Sequence, residues 1–317
     1  MFNVICSESA AILLFFYAIN RFSRILSRSK LDTVKKIFSK LTDCPIKALL
    51  VGTGVSAAMQ SNQAVSLIAL SFVDNGIIST FESLPIMFGT PLGTASTAFL
   101  ISAKFENMGE MLIIIGAILK FTKYKNIGHI IFYFGLLLFA LDLMAEALEP
   151  IKNSQSFKKI FLFTSNTFVL FLIGIMASFI TQGAFIIGIL TILVGSNILP
   201  IYNANAMAIG TIVGSTLFIG VNVFSMSSEA KKAWGIHSSL VFICSLIMLL
   251  FLKLFTAIGN LFGGGELGFA MATFSSRTAI SIFELIIYMK CSKCSNIMKM
   301  LQKHIGLTKK STKAIKA

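Results

Sequence analysis

Gln60, Ser61, Asn62 and Gln63 form an unbroken polar run inside the apolar stretch from Ala48 to Val73. Lipid can satisfy none of their amides and hydroxyls, so at membrane depth such side chains must face protein, water or a ligand. A second interruption, Thr181-Gln182-Gly183, lies within the apolar stretch 161–199. A helix broken inside a membrane exposes N–H groups and the positive end of its dipole, which suit an anion. Its unwound carbonyls and hydroxyls suit a small cation. The chemistry on offer is ion and oxyanion binding.

These groups recur in order. Gly52, Ser56 and Gln60 are answered by Gly174, Ser178 and Gln182; Gly89, Gly93 and Thr94 by Gly210, Gly214 and Ser215; Leu13-Leu14-Phe15 by Leu137-Leu138-Phe139. A nearly constant offset of about 120 residues implies duplicated halves, and duplicated membrane halves imply a transporter with its site at their interface. The candidate binding residues are Ser56, Gln60, Ser61, Asn62, Gln63, Gly93 and Thr94 from the first half. The second half supplies Ser178, Gln182, Gly214, Ser215 and Thr216. For the glycines two readings stand side by side. With Pro91 they permit unwinding around an ion, or their small-x-x-x-small spacing serves close helix contact.

The elements that position these residues follow from composition. The chain is 56% hydrophobic and 13% charged, with mean hydropathy +0.85. A soluble domain carries about 25% charged residues, so this chain lacks the polar surface to cover itself in water. Its net charge of +14 comes from Lys and Arg clustered between apolar stretches, at Arg21 to Lys47, at Lys120, Lys123 and Lys125, and from Lys290 to Lys316. That pattern is the positive-inside signature of a multi-pass membrane protein. Nucleic acid is excluded as a partner because no basic face interleaved with aromatics accompanies the charge. The odd, scattered set of five cysteines implies no disulfide framework, and the lone Cys291-x-x-Cys294 pair lacks the second pair of a zinc site.

The expected architecture is an all-α polytopic membrane protein of two inverted repeats, each with a re-entrant helical hairpin, with about seven crossings plus two hairpins. The first repeat occupies 1–125, including a cytoplasmic amphipathic segment at 21–47; the second occupies 126–290; a basic cytoplasmic tail follows at 291–317. Crossings are placed at 4–20, 82–103, 111–119, 128–147, 204–224, 234–255 and 267–288, and hairpins at 48–73 and 161–199. A continuous crossing through Gln60 is the alternative to the first hairpin. The hairpin is preferred because it puts the N-terminus outside and most basic residues in the cytoplasm of an inner-membrane protein, with Lys152, Lys158 and Lys159 on the outer side.

Enzyme chemistry finds no footing. His129 and His237 fall near expected span ends and His304 in the tail, where solvated or interfacial roles are expected, and no pair has metal-ligand spacing. Neither Gly-x-Ser-x-Gly nor a phosphate-binding Gly-Lys loop is present. Asp142, Glu146, Arg277 and Glu284 lie in or near spans, where ionisable groups are expensive and paired. Arg277 either helps hold an anion or pairs with Glu284 two turns along its own helix.

At these residues the chain resembles the type II sodium/phosphate cotransporters. The segments 52–64 and 89–97, with Gly76 between them, are similar to that family's first repeat, marked by Gln-Ser-Ser-Ser hairpins and Gly-Ala-Asn-Ile-Gly-Thr-Thr segments. Residues 134–150 resemble its linker, and 230–242 and 265–282 its later helices, so the likeness runs from 10 to 290. It implies sodium-driven secondary transport of phosphate, with both hairpin tips forming the central site. Gln60 and Ser61 keep the first two positions of the hairpin motif, with Ser56 standing for the preceding Thr. Gly89, Gly93 and Thr94 keep part of the downstream segment. In the second repeat Gln182 is kept, Ser178 stands for the Thr, and Gly210, Gly214, Ser215 and Thr216 keep the frame.

Departures accompany the likeness. Asn62 and Gln63 replace hydroxyl residues, the second motif reads Gln182-Gly183-Ala184-Phe185, and the family's Asn is Pro91 in one half and Ile212 in the other. Each lost charge-assisted hydrogen bond is worth about 1.5–3 kcal/mol. The expected function is therefore sodium-coupled transport of phosphate or a related oxyanion by alternating access. The alternative is a degenerate relative that moves another solute or acts as a non-transporting membrane partner. Sodium is the expected coupling ion and no other cofactor is implied; oligomeric state, direction and stoichiometry are left open.

Overall fold

The computed structural model describes residues 2–29, 44–103, 107–148, 166–181 and 183–314. For 2–9, 12, 23, 26–29, 144–145, 147–148 and 291–314 it describes the backbone alone. Among the described residues there are thirteen helices and no strand. They are α1 (Phe2–Ser29), α2 (Pro45–Met59), α3 (Asn62–Asp74), α4 (Thr80–Thr94), α5 (Ser96–Ser102), α6 (Met108–Lys120) and α7 (Lys125–Leu148). Then come α8 (Thr167–Ile180), α9 (Gly183–Gly195), α10 (Ile201–Val223), α11 (Ser228–Leu250), α12 (Leu252–Leu261) and α13 (Gly265–Ala314).

Among the described residues five segments are long and apolar enough to cross a membrane: Thr80–Ser102, Lys125–Leu143, Ile201–Val223, Ser228–Leu250 and Gly265–Lys290. Large apolar side chains such as Leu250 and Ile180 are mostly exposed, a surface that lipid covers and water does not. The map shifts in three places. α1 continues through the start of the expected amphipathic segment to Ser29, while 30–43 lies outside the described residues. α6, expected as a crossing at 111–119, has 13 residues, short of the roughly 20 needed to span a bilayer. α11 begins at Ser228, ahead of the expected crossing, because Ser227 caps it by accepting from the Ala230 N–H at 3.4 Å. Lys152, Lys158 and Lys159 lie outside the described residues, as do the side chains of Cys291, Cys294 and His304.

The recurring residues make matching contacts. Where α2 crosses α4, a Cβ on Gly52 would strike the Ile86 carbonyl, one on Gly89 the Leu49 carbonyl, and one on Gly93 the Thr53 carbonyl. Where α8 crosses α10, Gly174 meets the Met207 carbonyl, Gly210 that of Phe171, and Gly214 that of Ile175. Ser56 Oγ donates to Thr90 O at 2.8 Å, and Ser178 Oγ donates to Thr211 O at 2.9 Å. Each partner of the second pair sits about 120 residues after its counterpart, as a tandem duplication requires. Of the two readings of these glycines, close contact is the one realised. α10 runs unbroken from Ile201 to Val223 through Gly210-Thr211-Ile212-Val213-Gly214, so the helix is not unwound there. Ile212 keeps the backbone donor that proline lacks at the matching position.

The second limb of each hairpin packs on its own pair, α3 on α4 and α9 on α10, and reaches beyond it. α3 packs on α10 and α11, while α9 packs on α5 and α13. One apolar cluster joins Met59, Val65 and Leu70 to Ile219, Val223 and Ala233; another joins Phe15 and Leu137 to Ile187 and Leu190. The halves are therefore interleaved.

Candidate functional site

The first hairpin turns at Gln60 and Ser61. Gln60 caps α2 with φ +50°, a left-handed conformation that costs a non-glycine residue of order 1 kcal/mol or more. Its amide is fixed from three directions. Nε2 donates to Ala57 O at 2.7 Å and to Ser96 Oγ at 2.9 Å, and Oε1 accepts from Thr97 Oγ1 at 2.6 Å. Ser61 is extended and caps α3, its Oγ accepting from the Ala64 N–H at 3.2 Å. All four polar residues of the run are buried. A cavity of about 420 Å³ reaches Gln60 from the side, walled by Phe22, Phe99 and Phe134, with Gln60 and Ser96 as its polar part.

The second hairpin turns after Thr181, and Gln182 lies outside the described residues. Its neighbours meet the first tip. Asn62 Nδ2 donates to Ser215 Oγ at 2.7 Å, and Gln63 Nε2 donates to Thr181 O at 3.3 Å. A Cβ on Gly183 would lie 3.4 Å from Ser178 Oγ, 3.7 Å from Asn62 Oδ1 and 3.8 Å from Ser215 Cβ. The first turns of α3 and α9 thus come together, and first-turn N–H groups have no partner within their own helix. Two positive dipole ends share one small region.

The hydroxyls around this point send their protons to backbone carbonyls. Ser56 donates to Thr90 O, Ser178 to Thr211 O, Thr94 to Pro91 O, and both Ser215 and Thr216 to Ile212 O. Their oxygens remain as acceptors. Donors come from Asn62, Gln63, the helix starts and one cation, Arg277.

Arg277 is 1% exposed. Nη1 donates to Pro91 O and to Thr94 Oγ1, both at 2.7 Å; Nη2 donates to Thr211 Oγ1 at 2.9 Å and reaches Ala208 O at 3.5 Å. One guanidinium thereby joins α4 to α10. Pro91 prepares its end of this contact. Lacking an N–H, it cannot bond the Met87 carbonyl, which the Thr90 hydroxyl takes at 2.9 Å. The chain turns tighter beyond it, Ala95 N–H going to Leu92 O, which leaves Pro91 O to the arginine. The expected Arg277–Glu284 pair does not form. No described carboxylate pairs with Arg277, whose Nε has no partner, and Glu284 lies instead beside His237.

The expectation for His237 is overturned as well. Helix α11 starts before the expected span, so His237 sits more than two turns in and is buried. The residues that hold Gln60, Ser96 and Thr97, were not singled out; their place just after Gly93-Thr94 was the available signal. The departure Ala184-Phe185 has a packing role. Both are buried, and Phe185 stacks on Phe15 with ring centroids 5.5 Å apart and meets Phe16 edge-on.

Residues 14–146, from α1 to most of α7, match the family model of the Na+/Pi-cotransporter. That span holds the first hairpin tip and the Gly89–Thr94 segment. Among curated proteins, one of Escherichia coli strain K12, provisionally named an inorganic phosphate export protein, YjbB, is 29% identical over 230 residues, covering 70% of this chain and 42% of its own. Its namesake in Salmonella typhimurium is 28% identical over 205 residues, covering 63% and 38%. The uncharacterized protein YqeW of Bacillus subtilis is 23% identical over 239 residues, covering 74% and 78%. The chain spans about two fifths of the length of the YjbB proteins it matches. No solved structure matches.

Proposed function

We propose that this chain is a multi-pass membrane transporter of inorganic phosphate or a related oxyanion, coupled to sodium and working by alternating access between inverted halves. The observation that carries this reading is the meeting of the two hairpin tips through Asn62–Ser215 and Gln63–Thr181. The N-termini of α3 and α9, the Asn62 and Gln63 amides and the uncompensated charge of Arg277 supply donors and positive potential for an oxyanion. The hydroxyls of Ser56, Thr94, Ser178, Ser215 and Thr216 direct their protons to backbone carbonyls, and although Thr94 and Ser215 already accept from Arg277 and Asn62, such oxygens are the ligand type a hard cation such as sodium prefers. The match to the cotransporter model and the name of the YjbB proteins support phosphate as the cargo. Gln60 and Gln182 complete the proposed lining, in an inner-membrane protein with its N-terminus outside and its tail in the cytoplasm.

The test is uptake and release of radiolabelled phosphate in proteoliposomes, with and without a sodium gradient. Sodium-stimulated flux is the expected result. Absence of sodium-dependent flux from protein that still melts cooperatively removes the cotransport reading. One observation favours a second reading, a degenerate relative that carries another solute or partners another membrane protein. Ala184 and Phe185 turn the second tip toward an apolar cluster and away from hydroxyl chemistry. Flux of a competing anion in the absence of phosphate flux would select it.

A further inference from the structure

Away from the hairpin tips, α11, α13 and α4 enclose a second group of polar atoms. Glu284 is fully buried on α13, and neither of its carboxyl oxygens has a hydrogen-bond partner. Across the α11–α13 contact, His237 Nδ1 is also without a partner and lies 3.9 Å from Glu284 Oε1. Phe88 of α4 covers the pair, its ring centroid 5.7 Å from that of His237.

We infer that Glu284 and His237 form a proton-binding site, separate from the hairpin tips, at which a proton is bound and released as part of the transport cycle. An ionised carboxylate at this position would be buried with no donor to either oxygen, an arrangement proteins avoid. A carboxylic acid suits the site better, since the unpartnered Nδ1 3.9 Å away becomes an acceptor for its O–H after a small approach of the two side chains. The proton comes from water and returns to water. Release leaves a charge that the closed packing of α11, α13 and α4 does not solvate, so loss of the proton requires those helices to part. That ties occupancy to conformation.

The surroundings hold few competing charges. On α11 the neighbouring titratable groups are His237 and the Cys244 thiol; Lys253 at the start of α12 is exposed. On α13, Tyr288 lies one turn on and Arg277 two turns back. α4 contributes Phe88 and, at its outer end near Tyr288, Glu82. α10 carries no ionisable charge, and α3 has Asp74 at its far end, accepting from Ser227 N–H. Arg277 is therefore the charge that senses Glu284. Seven residues of helix separate them by roughly 10 Å. With the proton on Glu284 the arginine's charge is uncompensated and attracts an anion; with the proton gone the two charges offset. For an anion bound beside Arg277, and so at a comparable distance from Glu284, an effective dielectric constant of about 20 makes that change of charge worth roughly tenfold in affinity, and the linkage is reciprocal.

This second step rests on the oxyanion reading, so the experiment separates the two. Infrared spectra of the purified full chain, wild type against Glu284→Gln, are compared in the protonated-carboxyl region. The expected result is a band present in wild type and missing in the variant; superimposable spectra overturn the site. Calorimetric titration with inorganic phosphate, at an alkaline pH where the wild-type carboxyl band is half lost and in buffers of different ionisation enthalpy, then counts protons taken up on binding. Wild type should take up more than Glu284→Gln, and its affinity should fall roughly tenfold on alkalinisation relative to the variant. Equal proton uptake overturns the coupling. If phosphate binds neither protein, the oxyanion reading fails while the infrared comparison still decides the proton site. Should Glu284→Gln fail to fold, Glu284→Asp keeps a carboxyl at altered reach and must shift the band; an unshifted band overturns the assignment.

Discussion

Asn62 donates to Ser215 at 2.7 Å across 153 positions of sequence. This bond joins the start of the first hairpin's return helix to the helix that carries the second half's Gly214 and Thr216. Both partners are buried, so removing either one leaves the other unsatisfied at a cost of about 1–3 kcal/mol.

The pair should behave as a unit. Asn62→Ala and Ser215→Ala should each lower thermal stability, and the double variant should fall short of the sum by about 0.5–3 kcal/mol. Strictly additive losses would show that the two tips do not touch in the working protein.

Gln60 holds the turn through Ala57, Ser96 and Thr97. Gln60→Ala should abolish coupled phosphate flux while leaving membrane expression intact, and Thr97→Val should weaken flux in the same direction. Gln60→Gly separates two effects, because it relieves the left-handed backbone yet removes the amide. An unchanged transport rate in Gln60→Ala would assign the residue to packing alone.

Gly52 and Gly174 occupy matching contacts against backbone carbonyls. Gly52→Ala and Gly174→Ala should each destabilise by about 1–3 kcal/mol, since a carbonyl cannot swing aside as a side chain can. Melting of the purified variants in detergent measures this. Unaltered melting in either would deny the equivalence of the two helix pairs.

Arg277 combines charge with a two-pronged reach. Arg277→Met should lose phosphate binding, and Arg277→Lys, which keeps the charge but not the planar fork, should bind more weakly and melt lower than wild type. Wild-type phosphate affinity in Arg277→Met would remove the arginine from the oxyanion's environment.

Pro91 frees the Met87 carbonyl for Thr90. Pro91→Ala restores a donor that competes for that carbonyl, so the helix should straighten locally and the Arg277 contact should loosen. The readout is flux measured beside stability, with flux expected to fall although stability holds or rises. Equal flux would leave the proline without a positioning role.

Much of this arrangement was legible in the residues. A polar run in an apolar segment has few solutions, and 60–63 takes one of them as a turn between two helices. The Gly-Ser-Gln spacing announced a repeated contact, and of the two readings of its glycines the close helix approach is the one found. Arg277 shows where sequence ran out. Periodicity put Glu284 on its helix face, but partner choice depends on which carbonyls neighbouring helices leave free, and those were set by Pro91 and by the hydroxyls of Thr94 and Thr211. His237 was misjudged because a serine cap moved the helix start.

The contacts that the return limbs make far along the chain, α3 with α10 and α11 and α9 with α5, carry a consequence for biogenesis. When α3 emerges from the ribosome, the surfaces that will cover Asn62 and Gln63 have not yet been synthesised. The partner of Gln63 comes 118 positions later and that of Asn62 153 positions later. Assembly of this protein is thus a late, concerted closure, and slowing translation between the halves should lengthen the lifetime of a protease-sensitive intermediate.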